Sequence, residues 1–178
     1  LLVADGYAAI GDSAFMTVPI IGSGIANSLK AARLLADAVI ADKNELFSAD
    51  TLWKYQRDFY KKLGAGLAPI AIIKLMVARF SPKDLDYFFD NEILNSDDMT
   101  IGADTNSIMC FIEKLMNFNS LKLKVKGVMS DFVLSKKVLG MNTRIAAVMA
   151  ITKAMPVRYD RKRVQSWVEG YNKCFKID

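Results

Sequence analysis

The sequence predicts a mainly α protein: a short N-terminal β element followed by a helical domain. Three observations carry this. Apolar residues recur at three- and four-residue spacing from Ile25 onward. Strong helix-start signals punctuate the chain at Ser48, at Ser81-Pro82 and at Asp160. Only the first ten residues, split by Asp5-Gly6, read as strands joined by a tight turn.

Taken in order, Leu1-Leu-Val-Ala4 and Gly6-Tyr-Ala-Ala-Ile10 are one or two short strands, and Gly11-Asp12-Ser13-Ala14 ends that run. A loop passes Pro19 and closes at Gly22-Ser23-Gly24. A helix starts there, with Ile25, Leu29, Ala32, Ala36 and Val39 as its apolar repeat and Lys30, Arg33 and Asp37 between them. Ser48 caps a helix over 49–64, and Pro69 opens another that reaches Phe80. Ser81 caps the next, with Pro82 at its first position. Residues 91–102 read as a turn or loop. Asp104 or Thr105 starts a helix to Asn117, and Ser120 one to Gly140. Asn142 or Thr143 caps a helix that ends before Pro156, and Asp160 caps the last, through Val164, Trp167, Val168 and Tyr171. The expected division is 1–47 and 48–178.

Bulk properties narrow the function classes. The 178 residues are 52% hydrophobic and 24% charged, which is the composition of a folded protein. The net charge of +5 permits an anionic ligand without requiring nucleic acid. Lys122, Lys124, Lys126, Lys136 and Lys137, and separately Arg158, Arg161, Lys162 and Arg163, read as solvated faces, because no nucleic-acid motif accompanies them. The absence of histidine removes His acid–base chemistry, Ser-His triads and His-ligated metals. Cys110 and Cys174 are far apart and form no CxxC pair, so no metal site is expected, and two free thiols fit a reducing cytoplasm. The most apolar stretch, 67–80, contains Pro69, Lys74 and Arg79 and is too short to span a bilayer. The chain opens on Leu1 inside an apolar run, which reads as a piece of a longer protein.

The chemistry concentrates near Gly11 and Gly24. Asp12 arrives at the end of a strand, a carboxylate suited to sugar-like hydroxyls. Beyond the rigid Pro19, Gly22 and Gly24 open a helix whose first N–H groups and positive dipole end suit an anion or an electron-rich carbonyl. Glycine lets a ligand approach that backbone closely. Each residue alone reads better as ordinary strand-end or loop chemistry; the joint spacing with Pro19 and an Ala-rich helix reverses that in favour of a ligand site. The nine methionines, and the aromatic set Trp53, Tyr55, Phe59 and Tyr60, read first as core. Asp84, Asp86, Glu92, Asp97 and Asp98 read as helix-start or loop charges. Lys153 and Cys110 have no base beside them.

The string Ile10-Gly-Asp-Ser-Ala-Phe-Met-Thr-Val-Pro-Ile-Ile-Gly-Ser-Gly-Ile-Ala-Asn-Ser-Leu-Lys-Ala-Ala-Arg-Leu-Leu-Ala36 resembles the second FAD motif of the para-hydroxybenzoate hydroxylase-like flavoproteins, with its Gly-Asp…Pro…Gly-x-Gly pattern. The resemblance implies that Asp12 binds the ribityl chain. It implies that Pro19, Gly22 and Gly24, with Ser23 and Ile25 as backbone contacts and Gly11 before the acid, meet the flavin ring. Trp53-Lys-Tyr-Gln-Arg-Asp-Phe-Tyr-Lys-Lys-Leu-Gly64 and Phe80-Ser-Pro-Lys-Asp-Leu-Asp86 resemble the helical tail of the geranylgeranyl reductase and FixC-type dehydrogenase branch. Ser13 and Phe15 stand where many members have Ala and Gly. No Gly-x-Gly-x-x-Gly follows a strand; Asn27 occupies the third-glycine position.

The resemblance therefore implies the C-terminal fragment of an α/β FAD-binding protein. Its adenine and pyrophosphate subsite would lie in a missing N-terminal half, and this chain alone would bind FAD poorly. The expected parent is a cytoplasmic or membrane-peripheral reductase or dehydrogenase. Its electron donor would be NAD(P)H or a ferredoxin-like protein; the helical part from Ser48 onward would cap the substrate side, pack on a partner subunit, or both, and a homo-oligomer is one such arrangement. An aromatic monooxygenase is one alternative and a non-catalytic helical interaction domain another; a lipid pocket lined by methionines is a third.

Overall fold

In the computed structural model, residues 1–19, 22–90 and 132–176 are described. They form a two-stranded hairpin followed by helices, so the chain is mainly α with a short N-terminal β element. The expected loop at 91–102, the helices starting near 104 and 120, Cys110 and the lysines at 122–126 lie outside the described residues.

Strands β1 (Val3–Ala4) and β2 (Tyr7–Ala8) pair antiparallel, with Val3 opposite Ala8 and Ala4 opposite Tyr7. Gly6 sits at φ +67°, the left-handed turn conformation that glycine adopts without a steric penalty. A two-stranded hairpin is marginal alone. Here the helix that follows holds it. Leu2 N–H donates to Gln56 Oε1 at 2.9 Å, the Tyr55 hydroxyl to Ala9 O at 2.7 Å, and Ala49 N–H to Asp5 Oδ1 at 2.8 Å.

Helix α1 (Ile25–Ala41) begins where the glycines predict. Its orientation differs from the sequence expectation. The buried face is Asn27, Ala31, Leu34 and Ala38, while Ile25 is 80% and Leu29 68% exposed. The helix is apolar on two opposite faces, and Lys30, Arg33 and Asp37 share one flank at i, i+3 and i+7. Periodicity alone does not choose between two such faces. Close packing chooses the one with fully buried Ala31 and Ala38, and Asn27 anchors it by donating to Met16 O at 3.0 Å.

Helix α2 (Ala49–Phe59) is capped by Ser48, whose hydroxyl accepts from Thr51 N–H at 3.2 Å. It runs through a π-turn (Tyr60–Gly64) directly into α3 (Ala65–Val77). Pro69 therefore does not open a helix; it lies inside α3, fully buried. Proline deletes one backbone bond and crowds the preceding turn. The wider π-turn lies immediately upstream, where that crowding must be absorbed. The residues Met16, Ala31, Leu34, Tyr55 and Phe59 belong to one core, on which α1 and α2 both pack.

Helix α4 (Pro82–Asp90) starts at the expected Ser81-Pro82. Ser81 N–H donates to Asp84 Oδ2 at 2.7 Å and Asp84 N–H to Ser81 Oγ at 3.2 Å, a reciprocal capping box. Helix α5 (Phe132–Lys153) carries Lys137, which donates to the same carboxylate. Asn142 and Thr143 do not cap a new helix. They lie within α5, and the Thr143 hydroxyl turns back to Leu139 O at 2.8 Å, four residues earlier. Met141, Ile145 and Val148 of α5 pack on Ile72, Ile73 and Met76 of α3. Asp160 caps α6 (Arg161–Lys173) by accepting from Arg163 N–H at 2.8 Å. Arg158, Arg161, Lys162 and Arg163 are exposed around that cap.

Lys137 and the Ser81 groups hold the Asp84 carboxyl below its ordinary value of 3.8. A depressed carboxylate stabilises the fold above the unfolded-state pKa and loses that contribution as pH falls through the folded value. The advantage of the native chain over Asp84→Asn, read as the urea midpoint, is therefore expected to be full at pH 7 and to shrink as pH falls below 3.8.

Candidate functional site

The chain leaves β2 into a single 3-10 turn, Gly11–Ala14, so Asp12 stands on this turn rather than at the end of a strand. Gly11 has φ +68° and its N–H meets Met16 Sδ at 3.2 Å. Phe15 ends the turn at φ +53°, a conformation that costs a bulky side chain and that glycine takes freely. That explains physically why a glycine suits position 15 and why Phe15 here is strained and 89% exposed.

The turn and the following loop are tied together. Asp12 Oδ1 accepts from the Thr17 hydroxyl at 2.8 Å. Val18 N–H donates to Ser23 O and Gly22 N–H to Val18 O, both at 2.9 Å, which closes the Pro19-containing loop. Gly22 has φ +70°, and a side chain there would meet nothing within 4 Å. Gly24 is the opposite case: a Cβ would fall 2.9 Å from Thr17 Oγ1 and 3.3 Å from Thr17 Cα. The loop lies against the start of α1, which has no side-chain cap and no acid in its first turn. Its positive end is thus left for a ligand or water.

A cavity of about 710 Å³ opens beside this unit. Asp12, Pro19 and Gly22 line it; Gly11, Ser23, Gly24 and Ile25 do not. The opposite wall comes from the helical part: Tyr60 of the π-turn, Leu67 of α3, and Trp167, Tyr171 and Phe175 at the C-terminal end. The rings form a contiguous surface. Tyr60 meets Trp167 edge-on at 5.1 Å and Tyr171 at 5.5 Å; Trp167 stacks on Tyr171 at 5.2 Å, and Tyr171 contacts Phe175 at 5.2 Å. Burial pushes the Tyr60 phenol up to about 12. Burial, then the neighbouring Tyr60 and Cys174, raise Tyr171. Both hydroxyls are neutral at physiological pH.

Sequence reasoning missed this wall. Its signal was present: Trp167, Tyr171 and Phe175 recur every four residues, as do Tyr60 and Gly64. Gly64 makes room for the Tyr60 ring, since a Cβ there would lie 2.9 Å from Tyr60 Cδ1. Of the methionines, Met16, Met76 and Met141 are buried, and none of those among the described residues lines the cavity. Lys153 is exposed.

No protein-family model matches the sequence, and no curated protein is significantly similar to it. Among the described residues, no helix is long and apolar enough to cross a membrane.

Proposed function

We propose that this chain is the flavin-contacting C-terminal part of an FAD-dependent reductase or dehydrogenase. One observation carries the reading: the Gly11-Asp12 turn and the Pro19-to-Gly24 loop fold as one hydrogen-bonded unit on the start of α1, and both face the same cavity. Flavin, when bound, supplies the hydride or electron transfer. Asp12 would accept from ribityl hydroxyls through the carboxylate capacity that Thr17 leaves open. Gly22 permits close approach of a flat ring, because nothing occupies its Cβ direction. The uncapped start of α1 lies behind the cavity-lining Gly22, and its dipole would favour negative charge on a reduced ring without touching it. The aromatic wall opposite excludes water from the reacting face.

The outward face of α1 supports a missing half. Ile25, Leu29 and Ile40 are 80%, 68% and 78% exposed on a helix whose other face is already in the core. A helix apolar on both faces is built to lie between two layers. The nucleotide-binding half would be the second layer, and it would hold the adenine and pyrophosphate.

In the full-length parent, Asp12→Ala is expected to weaken FAD binding about tenfold to a hundredfold, the effect of losing hydrogen bonds to a charged group. Flavin content after gel filtration measures it. Unchanged flavin would favour a helical interaction domain in which the glycines only shape a turn. Stoichiometric flavin on these 178 residues alone would remove the need for a second half.

A further inference from the structure

The wall opposite the glycine loop carries two phenol hydroxyls on a largely aromatic surface, with Asn172 as its other uncharged polar side chain. Tyr60 and Tyr171 are packed ring against ring at 5.5 Å, yet neither hydroxyl has a hydrogen-bond partner among the described residues. Other polar tips nearby are satisfied: the Trp167 indole N–H donates to Ile151 O at 2.7 Å, and the Tyr55 hydroxyl to Ala9 O. Half-buried donors left open beside a cavity are groups that a ligand can use. The backbone invests in this placement. The π-turn over Tyr60–Gly64 sets Tyr60 against α6, and Gly64 gives its ring room. Phe15, held at a strained φ of +53°, adds a further aromatic surface on the loop side. The charged side chains of the lining are Asp12, on the turn, and Lys74, which is exposed.

From this we infer that the cavity binds a small molecule with an apolar body and one hydrogen-bond-accepting oxygen, the body lying on Trp167 and Phe175 and the oxygen accepting from Tyr60 or Tyr171. A volume of about 710 Å³ is that of a ligand-sized pocket. A phosphorylated or strongly anionic ligand would find no matching cluster of cations on this wall. The binding of such a molecule goes beyond the flavin reading and stands without it, because it rests on Tyr60, Trp167, Tyr171 and Phe175 of the wall and not on the glycine loop.

The test compares two probes of nearly one shape, 2-acetylnaphthalene and 2-ethylnaphthalene, which differ by a carbonyl oxygen. Equilibrium dialysis against the full 178-residue chain gives both affinities. Both probes are expected to bind saturably at one site. In the Tyr60→Phe/Tyr171→Phe double variant the ketone is expected to weaken about fivefold, the effect of one net hydrogen bond, while the hydrocarbon stays within about twofold. The hydrocarbon thus reports that the variant is folded. A Leu67→Trp variant, which fills the cavity, is expected to lose both probes. No saturable binding to the native chain would overturn the inference, as would equal effects of the double variant on both probes. Displacement of the ketone by riboflavin would also overturn it, by assigning the wall to the flavin ring itself; it would at the same time strengthen the flavin reading. Failure of the flavin reading alone leaves both probes binding.

Discussion

Gly24→Val is expected to cost about 1–3 kcal/mol of stability, the range for overpacking a close-packed contact, and to strip flavin from the full-length parent. Gly24 is the N-cap of α1, and its backbone lies directly on Thr17. A Cβ would press on Thr17 Oγ1 at 2.9 Å and on Thr17 Cα at 3.3 Å. The first atom belongs to a side chain and can rotate; the second is backbone and must move. Moving Thr17 breaks its bond to Asp12 and pulls at Met16 O, to which Asn27 is bonded. The substitution thus uncouples the acid from the loop, which the proposed site requires together. Gly22→Ala is the informative contrast. It meets no neighbour, but it places a side chain at φ +70°, so its cost is conformational, about 1 kcal/mol. Urea midpoints of both variants, read beside flavin content, separate the two mechanisms. A Gly24→Val chain as stable as the native one would remove the close approach from the account of the site.

Local signals were legible wherever a single residue determines the backbone. Asp5-Gly6 gave a hairpin turn, Ser48, Ser81 and Asp160 gave helix caps, and Gly24 marked the start of α1, because each acts through its own φ or through a bond three residues away. What depends on a distant partner was not legible. Pro69 reads as a helix start, yet α3 runs through it, because burial between α5 and the loop holds the helix together. Asn142 and Thr143 read as caps, yet packing of Met141, Ile145 and Val148 on α3 carries α5 past them.

The site divides the same way. Asp12, Pro19 and Gly22 were found by spacing and do line one cavity, while Gly24 shapes the loop from behind. The facing aromatics come from positions 60 and 167–175, more than a hundred residues apart, and only the fold joins them. Which apolar face of α1 enters the core was not legible for a related reason. Both of its faces are apolar, and a pattern with two solutions needs the three-dimensional neighbour to decide.

Trp53→Ala is expected to produce the largest loss of stability, about 3–5 kcal/mol, the usual cost of deleting a buried large aromatic. Trp53 is 2% exposed. Its indole N–H donates to Pro156 O at 2.9 Å and its ring meets Tyr159 edge-on at 5.5 Å. Arg57, one turn later, donates to Val157 O at 2.9 Å. These contacts fasten α2 to the connection between α5 and α6. The same helix holds the hairpin through Tyr55 and Gln56. Trp53 therefore stands between the two halves of the candidate site: the glycine loop follows the hairpin, and the aromatic wall follows the connection. Trp53→Phe keeps most of the buried area and drops the Pro156 bond, so its cost is expected to be about 1–3 kcal/mol. The chain has two tryptophans, so either variant leaves Trp167 of α6 as the sole indole reporter. If Trp53 couples the halves, Trp167 emission in the alanine variant shifts at lower urea than the far-ultraviolet helix signal, because α6 leaves the wall first. Coincident transitions would mean that the edge-on contacts of Tyr60 with Trp167 and Tyr171 suffice to hold α6, and would move the coupling from Trp53 to the π-turn.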